Sequence, residues 1–174
     1  MQTQIIYYSR YGSTKEIAHK ISDRLNAEEI SDITDLKSID GDLLIIGSSI
    51  YSESADKKIM DLLLDRAGIL KNKKIALFVV CLAKEAKVIR DKEIGGPVYL
   101  RKMETALTRK PIAKKVFGGK LIPSLLSEED YKRQEAFYKM RNMPFNEANM
   151  ISEEEIDEFV REIKAAENST EHGA

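Results

Sequence analysis

Four short apolar runs constrain this chain most: "QIIYYS" at 4–9, "DLLIIGSS" at 42–49, "KIALFVVCL" at 74–82 and "AKKVFGGKLI" at 113–122. Rich in β-branched residues and nearly uninterrupted, each reads as a strand buried on both faces. A weaker strand is expected in "EEISDI", 28–33. Between the runs, Ile17, Ile21 and Leu25, then Ile59, Leu62 and Leu63, then Tyr99, Met103 and Ala106 repeat at helical spacing and mark core-facing helix sides. A last helix opens at Ser152 with Glu155 three residues on, the pattern of a capping box, and buries Ile156, Phe159, Val160 and Ile163. Five strands alternating with helices predict an α/β fold: an open, mostly parallel sheet covered on both faces, with its ligand beyond the carboxyl ends of the strands.

The 174 residues, 43% hydrophobic, suffice for one buried core and leave little room for a second domain. We place that domain at 1–166, and residues 167–174 read as a disordered tail. Residues of about 122–150 break the alternation and are too long for an ordinary connection. Ser127 followed by Asp130 caps a helix there to about Arg141, with Tyr131, Phe137, Tyr138 and Met140 as apolar surface. This insertion either contacts a partner or substrate or is an extra helix packed on the domain. By contrast, "DKEIGGPVYLRK" at 91–102 reads as structural, a turn at Gly95 and Gly96 with Pro97 opening a helix.

With 28 basic and 29 acidic side chains, the charge totals show neither a nucleic-acid footprint nor a strongly acidic surface. One cysteine, Cys81, forms no internal disulfide, and the first strand begins almost at Met1, so the expected location is cytoplasmic. No apolar run approaches the roughly 20 residues that span a bilayer, and any membrane contact is expected to be peripheral. His19 and His172 lie far apart, which argues against a histidine metal site.

Function is concentrated in "IIYYSRYGSTKEIAHKI", 5–21, where an apolar run stops at Ser9 and a helix starts within six residues. No Gly-x-Gly-x-x-Gly and no Gly-x-x-x-x-Gly-Lys-Ser/Thr occurs, which removes the signals for dinucleotide binding and nucleotide triphosphate hydrolysis. Gly12 permits a tight bend, and Ser9, Ser13 and Thr14 bring hydroxyls to a helix N-terminus whose partial positive charge suits a phosphate dianion. The alternative is plain helix capping by Ser13 or Thr14.

"YYSRYGSTKEIA" resembles the phosphate signature of flavodoxins, in which a Thr/Ser-x-x-Gly-x-Thr loop wraps the 5′-phosphate of FMN. "GSSIYSES", 47–54, and "VVCLAKE", 79–85, are similar to the two flavodoxin loops that flank the isoalloxazine ring. The resemblance implies a flavodoxin-like three-layer sandwich with a five-stranded parallel sheet in the order 2-1-3-4-5. Within that superfamily, "GSSIY", the "V-x-L-A" look of the strand-four loop and "VFGGKL" before a long insertion resemble the branch that includes menaquinone-dependent protoporphyrinogen oxidase. That branch's oxidase carries a strongly basic insertion, whereas here Glu128, Glu129 and Asp130 mix with Lys132, Arg133, Lys139 and Arg141.

The resemblance implies an FMN site made of Ser9, Arg10, Tyr11, Gly12, Ser13 and Thr14 around the phosphate, Ser48, Ser49, Ile50, Tyr51 and Ser52 on one side of the ring, and Cys81, Leu82, Ala83 and Lys84 on the other. Tyr51 is the candidate to stack on the ring, and Lys84 to stabilise reduced flavin by charge. Gly118 and Gly119 permit close approach of the cofactor or form a bulge. Each has a plainer alternative: a solvated Arg10, a Tyr11 or Tyr51 packed on its own loop, a Cys81 that is a small buried residue. Two functional classes follow: an FMN oxidoreductase, protoporphyrinogen oxidase-like with a quinone as acceptor, or an electron carrier between redox proteins. A third class is a binding module that kept the fold and lost the cofactor, or a phosphoacceptor receiver, the latter poorly supported because Gly47, Ser48 and Ser49 stand where an acceptor aspartate would be needed.

Overall fold

The computed structural model describes residues 1–171. Strand β1 (Thr3–Tyr8) leads to helix α1 (Ser13–Leu25), then β2 (Glu29–Asp32) and β3 (Leu43–Tyr51). A short β4 (Ser54–Ala55) precedes α2 (Lys57–Asp65), α3 (Ala67–Leu70) and β5 (Lys74–Val80). The chain continues through β6 (Lys87–Ile89), β7 (Lys92–Ile94), α4 (Gly96–Thr105) and β8 (Ala113–Phe117). Finally come β9 (Lys120–Leu121), α5 (Glu128–Met140), β10 (Ala148–Asn149) and α6 (Glu153–Glu171).

The five long strands are parallel and lie in the order β2-β1-β3-β5-β8, the expected 2-1-3-4-5, and antiparallel β4 on β3 makes the sheet six-stranded rather than five-stranded. Alternation along each strand divides the core. Ile5, Tyr7, Leu43, Ile45, Phe78 and Val80 pack under α1 and α6, and Ile6, Leu44, Ile46, Leu77 and Val79 pack under α2 and α4. Both faces are therefore covered, and each fully buried aliphatic or aromatic side chain contributes about 1.5–3 kcal/mol. The expected stripes are in place: Ile17, Ile21, Ile59, Leu63, Met103 and the four residues of the last helix are buried.

Several boundaries move. β3 runs on to Tyr51 and doubles back through Ser52 and Glu53, both at positive φ (51° and 62°). The expected strand 113–122 breaks at Gly118 and Gly119: β8 stops at Phe117, and β9 pairs antiparallel with β10 instead. The Lys120 N–H leaves the ladder and donates to Ser13 Oγ at 2.9 Å. The β6–β7 hairpin was not foreseen, because its turn residues Arg90 and Asp91 take positive φ (50° and 62°) without a glycine or asparagine to signal it. Ser152 Oγ accepts the Glu155 N–H at 3.3 Å, but the Glu155 carboxylate pairs with Lys84, so the capping box is half made. The last helix runs to Glu171, past the expected boundary at 166, and residues 172–174 of the expected tail, His172 among them, lie outside the described residues.

At the centre of the sheet, Gly47 on β3 sits beside Phe78 on β5, whose ring covers the place of a side chain. The Phe78, Phe117 and Phe159 rings then interlock edge to face, with centroids 5.7–6.3 Å apart, between the sheet and α6. A Cβ on Gly47 would come within 2.0 Å of the Phe78 ring. Gly47→Ala is therefore expected to lower stability by about 1–3 kcal/mol through overpacking, read as a lower urea midpoint. An unchanged midpoint would show that the ring moves aside freely.

Candidate functional site

Strand order reverses between β1 and β3: the chain goes one way from β1 to β2 and the other way from β3 to β5. α1 and α2 consequently leave these strands on opposite faces of the sheet, and a crevice opens beyond their carboxyl ends. The crevice here is a cavity of about 700 Å³, within the roughly 300–1,000 Å³ usual for small-molecule sites.

One end is the loop from Ser9 to Thr14. Gly12 is the N-cap of α1 at φ 98°, a left-handed conformation that favours glycine, and no side chain caps the helix. This removes the plain capping alternative for Ser13 and Thr14. The Ser9 Oγ accepts the Gly12 N–H at 3.1 Å and tightens the turn. Ser13 Oγ accepts the Lys120 N–H, which leaves its own proton to donate. Thr14 is 1% exposed, and its Oγ1 has no hydrogen-bond partner. A buried, unpartnered hydroxyl beside an uncapped helix N-terminus is a site built for an acceptor oxygen.

The middle of the cavity is walled by Ser49–Glu53 and by Cys81–Ala83. Ser49 Oγ is also buried without a partner. The Tyr51 ring meets Tyr11 edge-on, centroids 5.7 Å apart, and burial, with Tyr11 and Asp130 nearby, holds its hydroxyl protonated. Arg10 lies over the Tyr51 ring at 4.8 Å and pairs with Asp130 at 2.9 Å, so neither Arg10 nor Tyr51 is a freely solvated surface group. Burial pushes the Cys81 thiol up to about 12, and the thiol donates to the Ala83 carbonyl at 3.3 Å.

Three expected residues stand outside the cavity. Ser48 is fully buried, donating to the Ser49 carbonyl and accepting the Asp56 N–H at 2.9 Å, so it shapes the β3–α2 connection. Lys84 turns to Glu155 on α6 and is not placed against a ring. Gly118 packs against Met150, and only Gly119 borders the cavity, beside Ser13.

The remaining wall comes from the insertion: of its expected apolar residues Phe137 and Met140 line the cavity, whereas Ile122, Leu125, Leu126 and Gln134 were not anticipated there. Ile122, Leu125, Leu126, Phe137 and Met140 supply its apolar side, with Arg133 and Gln134 between. Ser127 caps α5 as expected, accepting the Asp130 N–H at 3.2 Å. Tyr11 ties the helix down: its hydroxyl donates to Asp130 at 2.5 Å and accepts the Ser127 N–H at 3.0 Å. Arg133 reaches Ser52 at 2.6 Å, so α5 spans from the opening loop to the β3–β4 turn. The apolar residues at 121–126 hinted at a lining, but only the fold shows which cavity they line.

The flavodoxin domain matches residues 4–144. The chain belongs to the flavodoxin-domain family. Among solved structures it is similar to a short-chain flavodoxin associated with a PDU bacterial microcompartment, at 18% identity and a TM-score of 0.56, covering 95% of this chain and 99% of that one. It is also similar to the two-electron reduced flavodoxin of Megasphaera elsdenii, at 20% identity and a TM-score of 0.50, covering 66% of this chain and 85% of that one. These likenesses are of fold. No curated protein matches the chain. Among the described residues no helix is long and apolar enough to cross a membrane. The residues of this flavodoxin domain fit FMN: unpartnered Thr14 and Ser49 hydroxyls and an uncapped α1 for phosphate and ribityl oxygens, and Tyr51 with Leu82 and Ala83 for the ring.

The raised Cys81 pKa has a direct consequence. At pH 8 the group is a neutral thiol, and alkylation by iodoacetamide is expected only after unfolding. Rapid modification of the native protein at pH 8 would instead reveal a reactive thiolate.

Proposed function

We propose that this protein binds FMN in the cavity between β1, β3 and the insertion and carries electrons between redox partners. The observation that carries the reading is the Thr14 hydroxyl, buried and unpartnered at an uncapped helix N-terminus. There the first-turn N–H groups of α1, the Ser13 and Thr14 hydroxyls and the helix dipole would hold the phosphate dianion. Tyr51, Leu82 and Ala83, which line the same cavity, would hold the ring, and the α5 residues Phe137 and Met140 would add apolar surface beside it. Bound FMN supplies the redox chemistry, in one- or two-electron steps, and the protein tunes it. A single free cysteine suits a cytoplasmic setting.

A second reading is favoured by one observation: Leu125, Leu126, Phe137 and Met140 line the cavity on its insertion side, with Leu125 and Met140 still largely exposed. Direct docking of a protein partner uses an open flavin edge, whereas an apolar enclosure suits a small organic substrate. On that reading the protein is an FMN oxidoreductase, protoporphyrinogen oxidase-like with a quinone acceptor. A potentiometric titration with two separated one-electron steps, together with reduction by a redox protein, supports the carrier. Steady turnover of a porphyrinogen with a quinone supports the oxidoreductase.

Thr14→Val tests the site itself with two effects of opposite sign. Losing an unpartnered buried hydroxyl leaves the flavin-free protein as stable or slightly more so, while FMN affinity falls roughly 10- to 100-fold, the worth of a hydrogen bond to a charged group. Thermal melting and flavin fluorescence quenching read the two. FMN binding that Thr14→Val leaves intact would remove the phosphate from this loop.

A further inference from the structure

The insertion enters the cofactor site through one buried carboxylate. Asp130, on the first turn of α5, is 1% exposed. Its Oδ2 accepts the Tyr11 hydroxyl at 2.5 Å and pairs with Arg10 Nη2 at 2.9 Å. A carboxylate this deep depends on its partners: those of Oδ2 are the consecutive loop residues Arg10 and Tyr11, whereas Oδ1 is buried without a hydrogen-bond partner. Arg10 then lies over the Tyr51 ring, and Tyr11 meets the same ring edge-on. Arg133, 3.8 Å from the Asp130 Oδ1, extends the contact to Ser52. Cation, aromatic wall and insertion are thus one assembly centred on Asp130.

Resting on the FMN reading above, we infer that Asp130 is a positioning residue for the cofactor site: it holds Arg10 at the phosphate loop and so sets the preference for FMN over dephosphorylated riboflavin. An arginine on an exposed loop loses much rotamer freedom when it is ordered, which weakens any contact it makes with a ligand. Asp130 imposes that order beforehand while occupying only part of a guanidinium with five N–H donors. The charges also interlock. Without Arg10 the buried carboxylate keeps only the Tyr11 hydroxyl and the more distant Arg133, and its charge near the loop disfavours a dianion; without Asp130 the cation is free to wander into solvent. The two residues act as a unit, and their effects are not additive.

The test uses the full chain as wild type, Arg10→Gln, Asp130→Asn, Asp130→Glu and the Arg10→Gln/Asp130→Asn double variant. Fluorescence quenching gives Kd for FMN and for riboflavin, and circular dichroism with thermal melting reports the fold. The riboflavin-to-FMN ratio of Kd values is expected to fall about tenfold or more in Arg10→Gln and in Asp130→Asn, matching the loss of a charge-assisted hydrogen bond. The double variant falls no further than Arg10→Gln, and Asp130→Glu, which keeps the charge, retains part of the preference. An unchanged ratio in Arg10→Gln overturns the inference, as does an Asp130→Asn variant that weakens both flavins equally. Should Asp130→Asn fail to fold, Arg10→Gln and Asp130→Glu decide together: the ratio falls in Arg10→Gln and is intermediate in Asp130→Glu, and a wild-type ratio in Asp130→Glu overturns the positioning role. A wild type that binds neither flavin overturns the FMN reading instead.

Discussion

The site depends on the reversal of strand order at β1. A parallel sheet buried on both faces needs helices on both, and right-handed crossovers carry α1 to one face and α2 to the other. The carboxyl ends of β1 and β3 therefore border a cavity, lined by the loops that follow them. The Ser9–Thr14 loop and the Ser49–Glu53 turn stand there because their strands are neighbours in register, with Tyr8 opposite Ser48. The close approach of Phe78 to Gly47 keeps this part of the sheet tightly packed.

Within that frame, polar groups are divided by whether the protein satisfies them itself. Ser9, Ser48 and Ser127 spend their oxygens on local backbone N–H groups and shape turns or caps. Thr14 and Ser49 do not, although both are buried. Leaving such groups unpaired costs stability, and the cost is offset only when a ligand supplies the missing partner. The contrast separates hydroxyls the protein satisfies itself from those left open, among side chains that look alike in the sequence.

The insertion changes the character of the cavity. Its aromatic residues pack on one another, with Tyr131 against Phe145 and Tyr138 against Phe137 and Phe145. That cluster gives α5 its own support, and Asp130 anchors it to the opening loop. Mixed charges on α5 are largely consumed within the helix and its neighbours, as in Lys132 with Glu128 and Arg133 with Glu129. Its net effect at the cavity is therefore an apolar wall crossed by one guanidinium.

Much of this was legible in the sequence because it depends on local period and local chemistry. Apolar runs specify strands, helical spacing specifies which side is buried, Gly12 marks the left-handed cap, and Ser127 before Asp130 marks the start of α5. Those signals placed the fold and most of the residues that line the cavity beyond β1 and β3. Lys84, Ser48 and Gly118 could not be sorted from their neighbours, since a one-residue step along a loop decides whether a side chain meets the cavity, the core or α6. The Arg90–Asp91 turn was silent because it takes left-handed backbone without the residues that usually announce it. The pairing of Tyr11 with Asp130 lies 119 residues apart in the chain. No periodicity spans such a distance; only the folding of the insertion back over β1 brings those two groups within hydrogen-bond reach.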